Sequence, residues 1–198
     1  MIAIVDYGMG NVASVKTAFE RLGYEVIITD DPEQLRRASH LILPGVGSFQ
    51  AAMEEIERRN LKELLQELAQ VKPFLGICLG MQLLFTEGKE GGTTEGLALI
   101  PGTVERIDTP HILPHIGWNQ LVISSDQPAF QSFQQKHVYF VHTFAAKTDP
   151  SYIVAKTNYG TEVTAIVRKG SIFGIQFHPE KSAEVGSEIL QTFLKEVQ

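Results

Sequence analysis

The chain has 198 residues, 17 Lys and Arg against 23 Asp and Glu, a formal net charge of −6, 43% hydrophobic residues and one cysteine. That length is enough to bury a real core in one domain, and an acidic balance without a Lys/Arg cluster argues against a nucleic-acid binder. A lone Cys78 makes neither an intrachain disulfide nor a Cys-ligated zinc site, which points to a reducing, cytoplasmic setting. The opening apolar run lacks the basic stretch of a secretory signal, and the most apolar segment, residues 73–85, is too short to cross a bilayer.

In chain order, Ile2 to Val5 is a continuous apolar run, the pattern of a strand covered on both faces. A loop at 6–10 leads to Asn11, an N-cap, after which Val12, Val15, Ala18, Phe19 and Leu22 repeat at helical spacing until Gly23 stops them. Residues 24–28 and 41–43 are predicted strands, and 48–68 is helical in two pieces. There Glu54/Arg58 and Glu55/Arg59 form i,i+4 pairs on a solvated face. A fourth strand is predicted at 74–77, with a helix over 79–85 and a loop over 87–92. Beyond it the texture changes to short strands at 104–107, 121–124, 137–141, 152–157, 163–168 and 171–177. An amphipathic helix over 182–197 closes the chain, with Ile189, Leu190, Phe193 and Leu194 inward. The βαβα rhythm followed by strands predicts an α/β fold: an open mixed, mainly parallel sheet flanked by helices with an added β-rich region, one domain over 1–198.

In an open parallel sheet, ligands bind beyond the C-terminal ends of the strands. Gly76-Ile77-Cys78-Leu79-Gly80 sits at such a strand–helix junction and has the form of a nucleophile elbow. The turn thrusts the central side chain outward, and the flanking glycines avoid collision. The helix N-terminus favours a thiolate, and the Leu79 N–H is placed to stabilise an oxyanion. The competing possibility is a small buried hydrophobe, the commoner role of a lone cysteine. At the end of the 171–177 strand, His178-Pro179-Glu180 follows, and residues two apart in extended chain share a side. Cys78, His178 and Glu180 together have the parts of a triad: nucleophile, proton shuttle and a group that orients the shuttle. Pro44-Gly45-Val46-Gly47-Ser48 follows the third strand, and an N–H of Val46 or Gly47 offers a second oxyanion donor. It also fits a plain helix-entry loop capped by Ser48.

GICLGMQ, PGVGSF and FHPEKS together resemble the class I, triad-type glutamine amidotransferases. DYGMGN, PHIGWN and YFVHTF narrow the resemblance to the glutaminase subunits of imidazole glycerol-phosphate synthases, over residues 6–182 and in that family's order. The resemblance implies that Cys78 attacks the carboxamide of L-glutamine, that His178 protonates the departing ammonia, and that Glu180 orients His178. It implies that Leu79, Val46 and Gly47 supply the oxyanion hole, that Gln82, Thr143, His142 and Gly45 surround the glutamine, and that no cofactor is needed. It further implies a heterodimer with a (β/α)₈-barrel cyclase, which takes the ammonia to convert the ribulosyl intermediate PRFAR to imidazole glycerol phosphate and AICAR in histidine biosynthesis. Trp118, Asn119, Tyr139 and Lys181 fall at or near that family's subunit interface. Phe144 stands where many relatives carry tyrosine.

His111 and His115 are four apart, but Pro110 and Pro114 exclude the helix that would make them a metal face. Three other functions compete: the glutaminase of pyridoxal phosphate synthase, a stand-alone cysteine hydrolase, and a non-catalytic module on the same fold. The PGVGSF, PHIGWN and DYGMGN segments count against the first, and the intact Cys78/His178/Glu180 set against the last.

Overall fold

The computed structural model describes residues 1–124 and 127–197. Its first half alternates β1 (Ile2–Val5), α1 (Val12–Arg21), β2 (Val26–Thr29), α2 (Pro32–Arg37), β3 (His40–Leu43), α3 (Phe49–Arg58), α4 (Lys62–Ala69), β4 (Phe74–Ile77) and α5 (Leu79–Gln82). The caps follow the side-chain chemistry. Asn11 accepts from Ser14 N–H, Asp31 from Glu33 N–H and Ser48 from Ala51 N–H, each satisfying an amide the helix itself leaves unpaired. Strands β5 (Phe85–Gly88), β6 (Thr94–Glu95), β7 (Ile100–Arg106), β8 (His115–Gln120), β9 (Val122–Ile123), β10 (His137–His142), β11 (Phe144–Lys147), β12 (Ile153–Asn158), β13 (Glu162–Lys169) and β14 (Ile172–Ile175) follow. Helix α6 (Ala183–Glu196) comes last.

The main sheet has eight strands in the order β2-β1-β3-β4-β14-β13-β12-β9. Its ladders are parallel from β2 to β14 and antiparallel from β14 to β9. Side-chain alternation divides the interior into two cores. Ala3, Val5, Leu41 and Leu43 pack on one face with α3 and α4; Ile2, Ile4, Ile42 and Leu75 pack on the other with α1 and α6. A four-stranded sheet (β11-β7-β5-β6) and a two-stranded one (β10-β8) make up the β-rich region.

Several local expectations change. The helix expected over 79–85 stops at Gln82, because Phe85 turns into β5 and pairs with Ile100 of β7. Its apolar residues serve the core whether helical or extended, so their pattern did not distinguish the two. The strand expected at 121–124 is the two-residue β9, and β8 precedes it as the partner of β10. Helix α2 was not anticipated. The Glu54/Arg58 pair does not form: Glu54 bonds Gln50, while Glu55 holds Arg58 at 2.6 Å and Arg59 at 3.6 Å. Nor is Arg59 merely solvated, since it bridges Asp30 at 2.8 Å and the Asp6 carbonyl at 3.4 Å, tying α3 to the loops after β1 and β2.

Strands β4 and β14 are adjacent and parallel, with Ile77 opposite Ile175, and Cys78 N–H donates to Ile175 O at 2.7 Å. The chain therefore leaves both strands at the same end, one residue beyond β4 at Cys78 and three beyond β14 at His178.

Candidate active site

Cys78 has φ +54° and ψ −114°, a conformation that is strained for any residue with a Cβ. The space around the turn is minimal. A Cβ on Gly76 would meet the Gly80 carbonyl, and one on Gly80 would enter the Leu43 carbonyl of β3. The strain persists because β3 and β14 pin both sides of the elbow. Met81 and Gln82 are the amides that turn back to Cys78 O, so helical geometry leaves the N–H of Leu79 directed outward at the helix start. The Cys78 sulfur lies 3.9 Å from Val141 O and 4.0 Å from the Gln176 amide nitrogen.

His178 Nδ1 is 2.7 Å from Glu180 Oε1, and the two side chains are 4% and 2% exposed. The strand ends at Ile175 and residues Pro179–Lys181 form a 3₁₀ turn, so Glu180 reaches the imidazole by curling back beside it rather than by sharing a strand face. Ser182 stiffens the turn, donating to His178 O at 2.6 Å while accepting from Tyr139 N–H at 2.9 Å. The other ring nitrogen, Nε2, is buried without a hydrogen-bond partner and interacts electrostatically with Cys78. Burial alone would lower the His178 pKa. Cys78 and then Glu180 outweigh it and raise the value to about 9, so the ring is an imidazolium at neutral pH.

A cavity of about 300 Å³ opens beside this pair. Cys78, His178, Leu79, Val46, Gly47, Gln82, His142 and Thr143 all line it, which brings together eight of the residues singled out in the sequence. Gly45, expected around the glutamine, is not on the cavity wall: it is buried where a Cβ would meet Tyr7, Leu79 and Gly80, and Glu180 stands behind the imidazole. Gln82 is held by its amide, which donates to Phe144 O and Gln176 Oε1 at 3.1 Å each. Trp118, Asn119, Tyr139 and Lys181 do not line the cavity. Trp118 is 54% exposed on β8 and packs edge-on against its β10 partner Tyr139; Lys181 is exposed on the 3₁₀ turn.

Two residues of the site went unnoticed in the sequence. Glu90, in the segment expected as a loop, lines the cavity and accepts Phe49 N–H at 3.0 Å. Tyr7 is fully buried and donates to Pro44 O at 2.7 Å, fixing the start of the 44–47 loop. Burial, and secondarily Cys78, pushes its phenol pKa up, so it remains a donor. A tyrosine flanked by Asp6 and Gly8 at a strand end was the available signal. Among the described residues no cluster of His, Cys, Asp or Glu has the form of a metal site, and no helix is long and apolar enough to cross a membrane.

Residues 3–197 match the family Glutamine amidotransferase class-I. The chain is 50% identical over 201 residues to the imidazole glycerol phosphate synthase subunit HisH of Geobacillus sp. (strain WCH70), covering 98% of this chain and 95% of the relative. It is 51% identical to the subunit of the same name from Exiguobacterium sibiricum, covering 96% and 93%. A crystal structure of a glutamine amidotransferase superposes with TM-score 0.79 at 19% identity, covering 99% of this chain and 98% of that one; this likeness concerns the fold alone.

Proposed function

The chain belongs to the glutamine amidotransferase class-I family, and from that premise we propose that it is the glutaminase subunit of an imidazole glycerol-phosphate synthase. The observation that carries the mechanism is the convergence of a strained cysteine, an imidazolium and a buried carboxylate beside a half-open cavity.

Glutamine enters with its carboxamide at Cys78. The thiolate attacks the carboxamide carbon, and the oxygen takes up negative charge facing the Leu79 N–H and a peptide N–H of Val46 or Gly47. The C–N bond then breaks as His178 gives its Nε2 proton to the leaving nitrogen, releasing ammonia and leaving a γ-glutamyl thioester. His178, now neutral, takes a proton from water as the water oxygen attacks the thioester. Cys78 departs as thiolate, glutamate leaves, and the imidazolium is restored. Glu180 never loses contact with Nδ1–H: it fixes the tautomer and offsets the ring's charge. Gln82, Thr143 and His142 surround the substrate, and Glu90 is the carboxylate on the wall suited to an α-ammonium group. Gly47, at φ +106°, lets the peptide between Val46 and Gly47 turn.

The ammonia is consumed by a (β/α)₈-barrel cyclase that converts PRFAR to imidazole glycerol phosphate and AICAR. The surface around Trp118, Asn119, Tyr139 and Lys181 supplies the docking face. A cytoplasmic, single-domain subunit follows from the same reading. The test is glutamate release from glutamine by the chain alone, with cyclase, and with cyclase plus its ribulosyl ligand, alongside Cys78→Ala. A large rise in the third condition that Cys78→Ala abolishes supports the proposal. A flat response from a cyclase that binds its ligand overturns the choice of partner.

A further inference from the structure

Running inward from the cavity wall, five polar groups form one chain. His142 Nδ1 is 2.8 Å from Phe144 O, the carbonyl that also anchors the Gln82 amide. His142 Nε2 is 3.0 Å from His115 Nδ1, its directly paired neighbour across β8 and β10. His115 Nε2 is 3.3 Å from Asn119 Nδ2, and that same amide nitrogen lies 2.8 Å from Asn158 O. Both imidazoles are buried, His115 being stacked between Phe140 at 4.8 Å and Tyr159 at 4.0 Å.

Donor–acceptor arithmetic leaves one arrangement. Phe144 O only accepts, so His142 carries its proton on Nδ1 and accepts at Nε2. His115 must then donate from Nδ1 and accept at Nε2. Asn119 supplies that last proton from its amide, whose orientation is set at both ends: its oxygen accepts Gln120 N–H at 2.8 Å and its nitrogen donates to Asn158 O. Every bond in the chain is satisfied when both rings are neutral. A proton added to either ring forces an N–H to face the Asn119 NH₂, and a second sets the two rings' N–H groups against each other. Burial lowers both pKa values to about 4, consistent with this. The titratable groups facing the pair are Tyr159 over His115 and His178 across the cavity from His142.

We propose that His115 is a positioning residue for glutamine binding: through His142 it fixes the Phe144 carbonyl, and with it the 142–144 wall and Gln82, from an anchor at Asn119 on the exposed strand β8. The proposal rests on the glutaminase reading for its substrate but not for its geometry. Thr143 lies between the two residues the chain holds, so loosening it alters where the substrate sits more than how fast Cys78 reacts.

The test uses the full chain, with cyclase and its ligand for kinetics. His115→Phe keeps an aromatic ring in the stack and deletes the donor; His115→Asn restores a donor near the Nδ1 position. His115→Phe is expected to raise KM for glutamine by about fivefold, the effect of one net hydrogen bond, with kcat changing much less. His115→Asn is expected to recover most of the loss. In the wild type KM stays flat down to about pH 5 and rises as the pair titrates near 4. In His115→Phe that rise moves to higher pH, because a proton on His142 Nε2 no longer faces the N–H and the charge of the His115 ring. Independently of any turnover, ¹⁵N NMR of the free chain is expected to show both rings neutral at pH 7 with the proton on Nδ1. An Nε2–H tautomer at His142 overturns the proposal, as does a folded His115→Phe with unchanged KM and an unmoved acid limb. Absence of glutaminase activity in the wild type together with the Nδ1–H tautomers would overturn the substrate assignment while leaving the chain itself standing.

Discussion

Replacing Glu180 by Gln isolates the charge of the triad's third member from its shape. The amide oxygen can still accept from His178 Nδ1, so the ring keeps its tautomer, but the charge-assisted bond at 2.7 Å between two buried groups becomes a neutral one. A hydrogen bond to a charged group contributes about 1–1.5 kcal/mol more than a neutral one, and a pKa unit is worth about 1.4, so the imidazolium pKa should fall by about one unit. From about 9 in the wild type it therefore moves to about 8. If the same energy is lost in the transition state, kcat/KM for glutamine falls by about 5- to 12-fold, and the loss deepens as pH rises through the lowered pKa. His178 is a group whose folded pKa is raised, so its contribution to stability is fully present below the unfolded value of 6.5 and is lost as pH rises through about 9. The melting-temperature gap between wild type and variant should accordingly be widest near and below about pH 6.5 and close by about pH 9. The assays are steady-state glutamate release with ligand-loaded cyclase, and NMR titration of His178 in the free chain. A variant with the wild-type imidazole pKa and wild-type kcat/KM would refute the assignment of Glu180 as the group that holds the imidazolium.

Three further outcomes follow from the packing. Tyr7→Phe leaves the buried Pro44 carbonyl without its donor at about 1–3 kcal/mol, lowering Tm by about 2–10 °C; because it frees the start of the 44–47 loop, kcat should fall more than KM rises. Thermal melts and glutaminase kinetics check both. Gly80→Ala drives a Cβ into the Leu43 carbonyl of the pinned strand β3 and should cost more than about 4 kcal/mol, read as loss of soluble, cooperatively melting protein. Trp118→Ala removes the large exposed aromatic of β8 and should weaken cyclase binding by about 30-fold or more in titration calorimetry, with Tm of the free chain nearly unchanged.

The legible parts of the sequence are those where one physical pattern has one structural solution. Ile2–Val5 and Phe74–Ile77 are continuous apolar runs too short for helices, and both are buried strands of the main sheet. Asn11 and Gly23 bracket α1 because a cap and a left-handed stop are local chemistry. The cysteine elbow was visible because its glycines leave no room for another turn. Elsewhere one pattern fits two structures. Leu83, Leu84 and Phe85 are all buried, and the turn to β5 is decided by pairing with Ile100, fifteen residues on. Glu55 takes both arginines because Asp30 and Asp6 O draw Arg59 inward, a contact spanning distant loops. The same distance hid Glu90 and Tyr7, whose roles depend on what β3 and α3 bring to them.

The site divides mechanically along these lines. The nucleophile stands on backbone that cannot move: Cys78 is pinned by the Ile175 carbonyl, and Gly80 lies against β3 with no space to spare. The 44–47 loop is held at its start, where Tyr7 bonds Pro44 and Gly45 packs against Leu79 and Gly80, and at its end by the Ser48 cap of α3. Between those anchors Val46 is 46% exposed and Gly47 has φ +106°, so a peptide there can turn without disturbing either end. A free chain with a rigid nucleophile and an unsecured second oxyanion donor should bind glutamine yet turn it over slowly, and a partner docking near β8 and β10 should raise kcat rather than lower KM. Fast, partner-independent turnover by the isolated chain would show that the loop is already set, and would place the control of ammonia release elsewhere.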